Sequence, residues 1–78
     1  MEKAKKYTIK ELRTMLGMSQ KQFANWYRIP IKSLQNWETG RREPPTYVMI
    51  LLVRAVLEDK LERDMIETAK LYLDPDNQ

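Results

Sequence analysis

Four polar side chains on one short stretch of the sequence carry amide, ammonium and hydroxyl groups that can hydrogen-bond to a ligand. Residues 31–39 have helical apolar spacing, with Leu34 and Trp37 on the inward side. The polar side chains on the outward side are Lys32, Ser33, Gln35 and Asn36. Amides pair with adenine, an ammonium group reaches the acceptors of guanine, and a hydroxyl serves either base. The stretch therefore predicts a helix that hydrogen-bonds to bases in the major groove.

Charge is divided unevenly along the 78 residues. Residues 1–42 carry ten lysines and arginines against three glutamates, a net charge of +7, and residues 43–78 carry four against eight carboxylates, a net charge of −4. Arg41 and Arg42 follow the predicted base-reading helix directly, where cations can hold phosphates. The first half is therefore expected to bind a polyanion.

The residues that most enzymes and metal sites need are missing. The chain has no histidine, no cysteine and only two glycines. Nucleophilic triads, zinc sites and glycine-rich phosphate loops are therefore excluded. We expect no enzyme activity, no catalytic residue, no metal and no cofactor.

Capping and terminator signals divide the first part of the chain into three short helices. Thr8 and Ser19 each precede Glu or Gln by three residues, which is the pattern of a capping box. Gly17 is expected to end the first helix, and the second is about eight residues long. The third helix covers 31–39, after Pro30 and before Gly40.

The second part predicts two further helices. Pro45 opens a helix over residues 46–57 that is apolar nearly all round, and a charged amphipathic helix covers 60–73 before Pro75. The break at 57–60 has the weakest signal. The fold class predicted is all-α, a compact domain of five helices, and the seven-residue apolar run 47–53 is too short to span a membrane.

Residues 8–52 resemble the lambda-repressor/Cro-like (XRE-type) helix-turn-helix family. The resemblance rests on two motifs at family spacing: Leu16-Gly17-Met18-Ser19-Gln20 and Asn36-Trp37-Glu38-Thr39-Gly40-Arg41-Arg42. It implies a lambda-repressor-like fold in which the second and third helices form the DNA-binding unit.

The resemblance also implies a role for individual residues. Those implied to contact bases are Ile31, Lys32, Ser33, Gln35 and Asn36. Those implied to contact phosphates are Gln20, Thr39, Arg41 and Arg42, with Gln20 also bracing the third helix. Those implied to be structural are Ala24, Leu34, Trp37, Glu38 and Arg13, with Arg13 the candidate basic partner of Glu38.

One residue departs from the family pattern. The family usually has glycine in the turn between the second and third helices, where this chain has Arg28. A left-handed backbone there costs an arginine about 1 kcal/mol. Either Arg28 bears that strain or the turn is built differently.

These observations predict three segments: a basic tail over 1–7, the helix-turn-helix domain over 8–57 and an acidic helix over 58–78 that binds a second copy or another protein. The function predicted is a sequence-specific regulator of transcription, cytoplasmic, that binds double-stranded DNA as a homodimer. The alternative is an antitoxin that represses its own operon and binds a basic toxin through its C-terminal helices. No membrane partner is expected.

Overall fold

The computed structural model describes the backbone of residues 6–73 and the side chains of residues 6–71. This part of the chain contains four α-helices and no strand: α1 (Ile9–Met15), α2 (Gln20–Tyr27), α3 (Ile31–Thr39) and α4 (Thr46–Leu73). The all-α prediction is confirmed for these residues. Residues 1–5 of the predicted basic tail and the predicted helix end at Pro75 lie outside the described residues.

Reciprocal hydrogen bonds define where α1 and α2 begin. The Glu11 amide donates to the Thr8 hydroxyl at 3.1 Å, and the Thr8 amide donates to the Glu11 carboxylate at 2.8 Å. Ser19 and Gln22 make the same pair of bonds at 3.1 and 2.9 Å. Both capping boxes predicted from the sequence are therefore present, and they satisfy amides that a helix start leaves without partners.

Each helix contributes one fully buried side chain to a single core. These side chains are Leu12, Phe23, Leu34 and Val56. Around them Tyr7 and Trp37 are partly buried against the core. Helices as short as α1 and α2 are marginal in isolation, so this shared core is what stabilises them.

The prediction of a separate fifth helix is wrong, because α4 runs without a break from Thr46 to Leu73. Residues 58–60 contain neither glycine nor proline, so nothing in the backbone ends the helix at that point. The Lys60 ammonium donates to the Asp64 carboxylate at 2.9 Å, a pairing of residues four apart that supports helix. The predicted segment boundary between residues 57 and 58 therefore falls inside one helix.

Three long-range hydrogen bonds hold the middle of α4 against the rest of the domain. The Asp59 carboxylate accepts hydrogen bonds from the Tyr27 hydroxyl at 2.6 Å and from the Trp26 indole at 3.2 Å. The Arg63 guanidinium donates to the carbonyl oxygen of Leu16 at 2.6 Å, just beyond the end of α1. Burial, followed by the hydrogen bond to Asp59, raises the pKa of Tyr27. Asp59 lies in the acidic helix predicted over 58–78, and the sequence did not predict these contacts.

Arg28 bears the backbone strain that its position implies. It follows α2 with φ of 59° and ψ of 42°, the only residue other than glycine with positive φ in the described chain. The amide of Ile29 then donates to the Ala24 carbonyl at 2.8 Å and closes the turn. The turn therefore keeps the left-handed geometry for which glycine is the ordinary choice.

Replacing Arg28 with glycine is expected to raise the free energy of unfolding by about 1 kcal/mol, since glycine has no Cβ to strain. Denaturant unfolding followed by circular dichroism measures the change. Asn25→Gly is the control, because it places glycine inside α2 and should lower the free energy by about 0.3 kcal/mol. If Arg28→Gly is as destabilising as the control, the turn is not strained.

Candidate nucleic-acid interface

α3 lies at the surface with one side packed and the other open. Leu34 is fully buried and Trp37 half-buried, as the sequence predicts for the inward side. Lys32, Gln35 and Thr39 are exposed on the opposite side. They fall three, four and seven residues apart, so they share one helical face. This face of α3 is accessible to a large ligand such as a duplex.

The remaining predicted base-contacting residues extend this face. Asn36 lies between Lys32 and Thr39 on the helix surface and is half-buried. Ile31 is 40% exposed at one edge, and Ser33 is half-buried at the other edge. The five residues therefore lie on one accessible side of α3, with Ile31 and Ser33 at its margins.

Glu38 is the one carboxylate of α3, and it is turned away from the open face. Its side chain is 5% exposed and forms a two-pronged ion pair with Arg13 of α1, which is 15% exposed. The Arg13 Nε and Nη2 atoms donate to the two Glu38 oxygens at 2.7 and 2.9 Å. Arg13 is the partner that the sequence analysis named for Glu38. The pair ties α3 to α1 and leaves the open face of α3 without negative charge.

The pKa of Glu38 is held below its ordinary value of 4.5. The largest cause is the hydrogen bond from Arg13; burial acts in the opposite direction, and a hydrogen bond from Gln20 adds to the lowering. The Gln20 amide nitrogen donates to Glu38 Oε1 at 3.0 Å, so Gln20 braces α3 from the start of α2. Since an amide nitrogen carries two N–H groups, the second can still donate to a phosphate.

A fixed loop places Arg41 and Arg42 at the end of α3. Gly40 ends the helix with φ of 81°, and the Arg42 amide donates back to the Asn36 carbonyl at 3.3 Å. The left-handed backbone at Gly40 ends the helix, and this bond fixes the path of the loop that follows. Both arginine side chains are exposed. The loop therefore presents two cations beside the open face of α3.

Comparison with known proteins places this geometry in a family. The family model described as "Helix-turn-helix" matches residues 9–56, which is more than half of the chain and includes all of α1, α2 and α3. The chain belongs to the lambda-repressor/Cro-like (XRE-type) helix-turn-helix family. No curated protein and no solved structure matches it significantly.

Membership of this family assigns the chain to a class of DNA-binding helix-turn-helix regulators. The two helices of the motif are α2 and α3, joined through Arg28, Ile29 and Pro30. Among the helices of residues 6–73, none is both long and apolar enough to cross a membrane.

Lys21 is a further cation near the predicted interface, and the sequence did not assign it to the DNA-contacting residues. Lys21 is exposed in the first turn of α2 and lines a shallow surface hollow together with Gln20, Ile31 and Gln35. A lysine here lies between the predicted phosphate contact of α2 and the open face of α3. Its place directly after Gln20 was the signal in the sequence.

Proposed function

We propose that the protein regulates transcription by binding a specific double-stranded DNA sequence with α3 in the major groove. The observation that supports this most is the composition of the open face of α3. It presents Lys32, Gln35, Asn36 and Thr39 with no carboxylate, because Glu38 is turned inward to Arg13. An α-helix fits the major groove, and amide and ammonium groups there read base edges.

Each side chain of the face then has a role set by its chemistry. Gln35 and Asn36 offer both a donor and an acceptor, the combination that pairs with adenine. Lys32 and Ser33 reach acceptors near the start of the helix, and Ile31 offers an apolar contact to a thymine methyl group. These residues supply the sequence preference.

Phosphate contacts hold the helix in place. Arg41 and Arg42 are assigned to phosphates at the end of α3, and Gln20 and Lys21 to phosphates at the start of α2. The Thr39 hydroxyl donates its one proton to the Gln35 carbonyl at 3.0 Å. Because a phosphate oxygen only accepts hydrogen bonds, Thr39 would have to give up this bond to contact a phosphate. Contacts of this kind fix orientation without reading sequence.

The test is a titration of the protein into the duplex upstream of its own coding sequence at two salt concentrations. Affinity should fall steeply with salt, because each bound lysine or arginine releases counterions from the phosphates. Arg41→Ala should weaken binding to this duplex and to an unrelated duplex by the same factor. It should also reduce the slope of log affinity against log salt by about one.

The matched control is Lys70→Ala, since Lys70 is exposed near the far end of α4. Its slope should equal that of the parent. If the parent binds no duplex more tightly than another, or if Arg41→Ala leaves the slope unchanged, the assigned interface is wrong.

An antitoxin is the second candidate, and it keeps the DNA contacts of α3. It is favoured by the exposed side chains of the second half of α4 and by the net charge of −4 over residues 43–78, which would attract a basic toxin. A short toxin-like reading frame beside the gene distinguishes the two. Because either role requires contact with DNA, we propose that the protein acts in the cytoplasm.

A further inference from the structure

The outer face of α4 carries a stripe of six residues with an ordered spacing. Four of them are large apolar side chains that stand in solvent: Tyr47 is 68% exposed, Leu51 59%, Leu61 61% and Met65 63%. Between the two apolar pairs lie Arg54 and Glu58, which are also exposed. We call these six residues the α4 stripe.

The spacing along the α4 stripe is that of a coiled-coil seam. Successive members are four, three, four, three and four residues apart, which is the alternation of a and d positions in a heptad. The stripe extends over about 27 Å of helix at 1.5 Å per residue. Leu52 and Val56, which are buried in the core, lie on the opposite side of the helix. The stripe therefore points away from the domain that α4 helps to build.

Apart from the hydrogen bond from Arg63 to the Leu16 carbonyl, the second half of α4 has little to stabilise it within one chain. Every side chain from Leu61 to Leu71 is exposed, including the apolar Met65 and Ile66. Helical stability in proteins comes mainly from packing an apolar face. A partner along the α4 stripe would supply that packing.

We propose that the partner is a second copy of this chain, whose α4 lies antiparallel along the stripe. A two-fold axis passes beside residue 56, so that residues whose numbers add to 112 face one another. Leu51 then packs on the partner's Leu61, and Tyr47 packs on the partner's Met65. Arg54 faces the partner's Glu58, and the symmetry repeats all three pairs.

The order of residue types favours this partner and this direction. The stripe reads apolar, apolar, basic, acidic, apolar, apolar, so reversing it sets apolar against apolar and Arg54 against Glu58. It also places each a position opposite a d position, the layering of antiparallel coiled coils. A parallel pair would bring Arg54 against Arg54 and Glu58 against Glu58, which is repulsive.

Self-complementarity is what an isologous two-fold interface requires, since the same patch serves both subunits. The stripe itself carries one positive and one negative charge and has no net charge. It therefore offers no charge attraction to a basic or acidic foreign protein. The central charged pair fixes the alignment of the two helices, as polar residues in coiled-coil seams do, at some cost in stability.

Charge reversal tests the proposal without DNA, so that its outcome is separate from that of the proposed function. Sedimentation equilibrium should show the parent as a dimer. Arg54→Glu and Glu58→Arg should each raise the dimer Kd at least about tenfold, because each sets two pairs of like charges face to face. The double variant Arg54→Glu/Glu58→Arg should return the Kd to within about threefold of the parent.

Glu67→Arg is the matched control, since Glu67 is exposed on the same helix but lies off the α4 stripe. It should leave the Kd unchanged. Circular dichroism confirms that the variants stay folded. A parent that is monomeric at micromolar concentrations, or a double variant as weak as the singles, overturns the proposal.

The alignment has its own test, because the chain contains no cysteine. An oxidised mixture of Leu51→Cys and Leu61→Cys proteins should form the mixed disulfide. Either variant alone should remain uncrosslinked, because its two copies of the cysteine lie about 15 Å apart along the helix. Efficient crosslinking of Leu51→Cys to itself would show a parallel pair and overturn the antiparallel arrangement.

Discussion

Glu38→Gln is expected to lower the free energy of unfolding by about 2 kcal/mol, a large part of the total for a domain of this size. Glutamine has nearly the same shape as glutamate and can still accept from Gln20. It cannot neutralise the Arg13 guanidinium, which is 15% exposed and donates two hydrogen bonds to Glu38. A mostly buried cation without its partner is the source of the loss. Denaturant unfolding of the parent and the variant measures it.

A double-mutant cycle separates the ion pair from a general effect on packing. Arg13→Met removes the cation while keeping much of the apolar length of the side chain. The double variant Arg13→Met/Glu38→Gln should then be less destabilised than the two single losses combined, by about 2 kcal/mol. If the free-energy losses of the two single variants add up to the loss of the double variant, the ion pair contributes nothing beyond its separate side chains.

The same pair makes stability depend on pH. Because the pKa of Glu38 in the folded protein lies below 4.5, its contribution is complete above pH 4.5. It is lost as the pH falls through the lowered value, where the folded protein must take up a proton. The stability curves of the parent and of Glu38→Gln should therefore converge as the pH falls below 4.5. A gap that stays constant over this range would contradict the assignment.

Local signals in the sequence account for most of the short helices. Ser19 is followed three residues later by Gln22, and the predicted second helix matches α2, Gln20–Tyr27. Pro30 and Gly40 similarly give the bounds of α3, Ile31–Thr39. These signals work because capping and left-handed termination depend on residues within one turn of each other.

The middle of α4 could not be predicted in this way. The sequence signal for a break at 57–60 was a change from apolar to charged residues, which alters the exposed face of a helix without ending it. The true role of Asp59 depends on Tyr27, which is 32 residues away in sequence. Contacts at that separation arise only after the helices have packed.

The candidate interface also combines features that the local sequence predicts with features that depend on residues far apart in the chain. Periodicity alone identified the open side of α3, since Leu34 and Trp37 mark the inward side. The partner of Glu38 was named through the family resemblance, because Arg13 lies 25 residues away and nothing local connects the two. The strain at Arg28 was visible as a departure from the family, but only the backbone angles show that Arg28 bears it.

Gln35→Ala is expected to reduce the discrimination between the preferred duplex and an unrelated one by about 1–3 kcal/mol, or roughly tenfold to hundredfold. Gln35 is exposed on the open face of α3, so its amide is placed to hydrogen-bond to one base pair. Alanine removes the amide and favours helix, so the fold should be kept. Competition titrations with the two duplexes measure the change.

Arg41→Ala is the comparison variant for this prediction, since a phosphate contact contributes equally to the affinity for every duplex. Gln35→Ala should weaken the preferred duplex and leave both the unrelated duplex and the salt slope nearly unchanged. Equal weakening of both duplexes would place Gln35 against the DNA backbone instead of a base. Unchanged binding to both would contradict the assignment of Gln35 to the side of α3 that faces the groove.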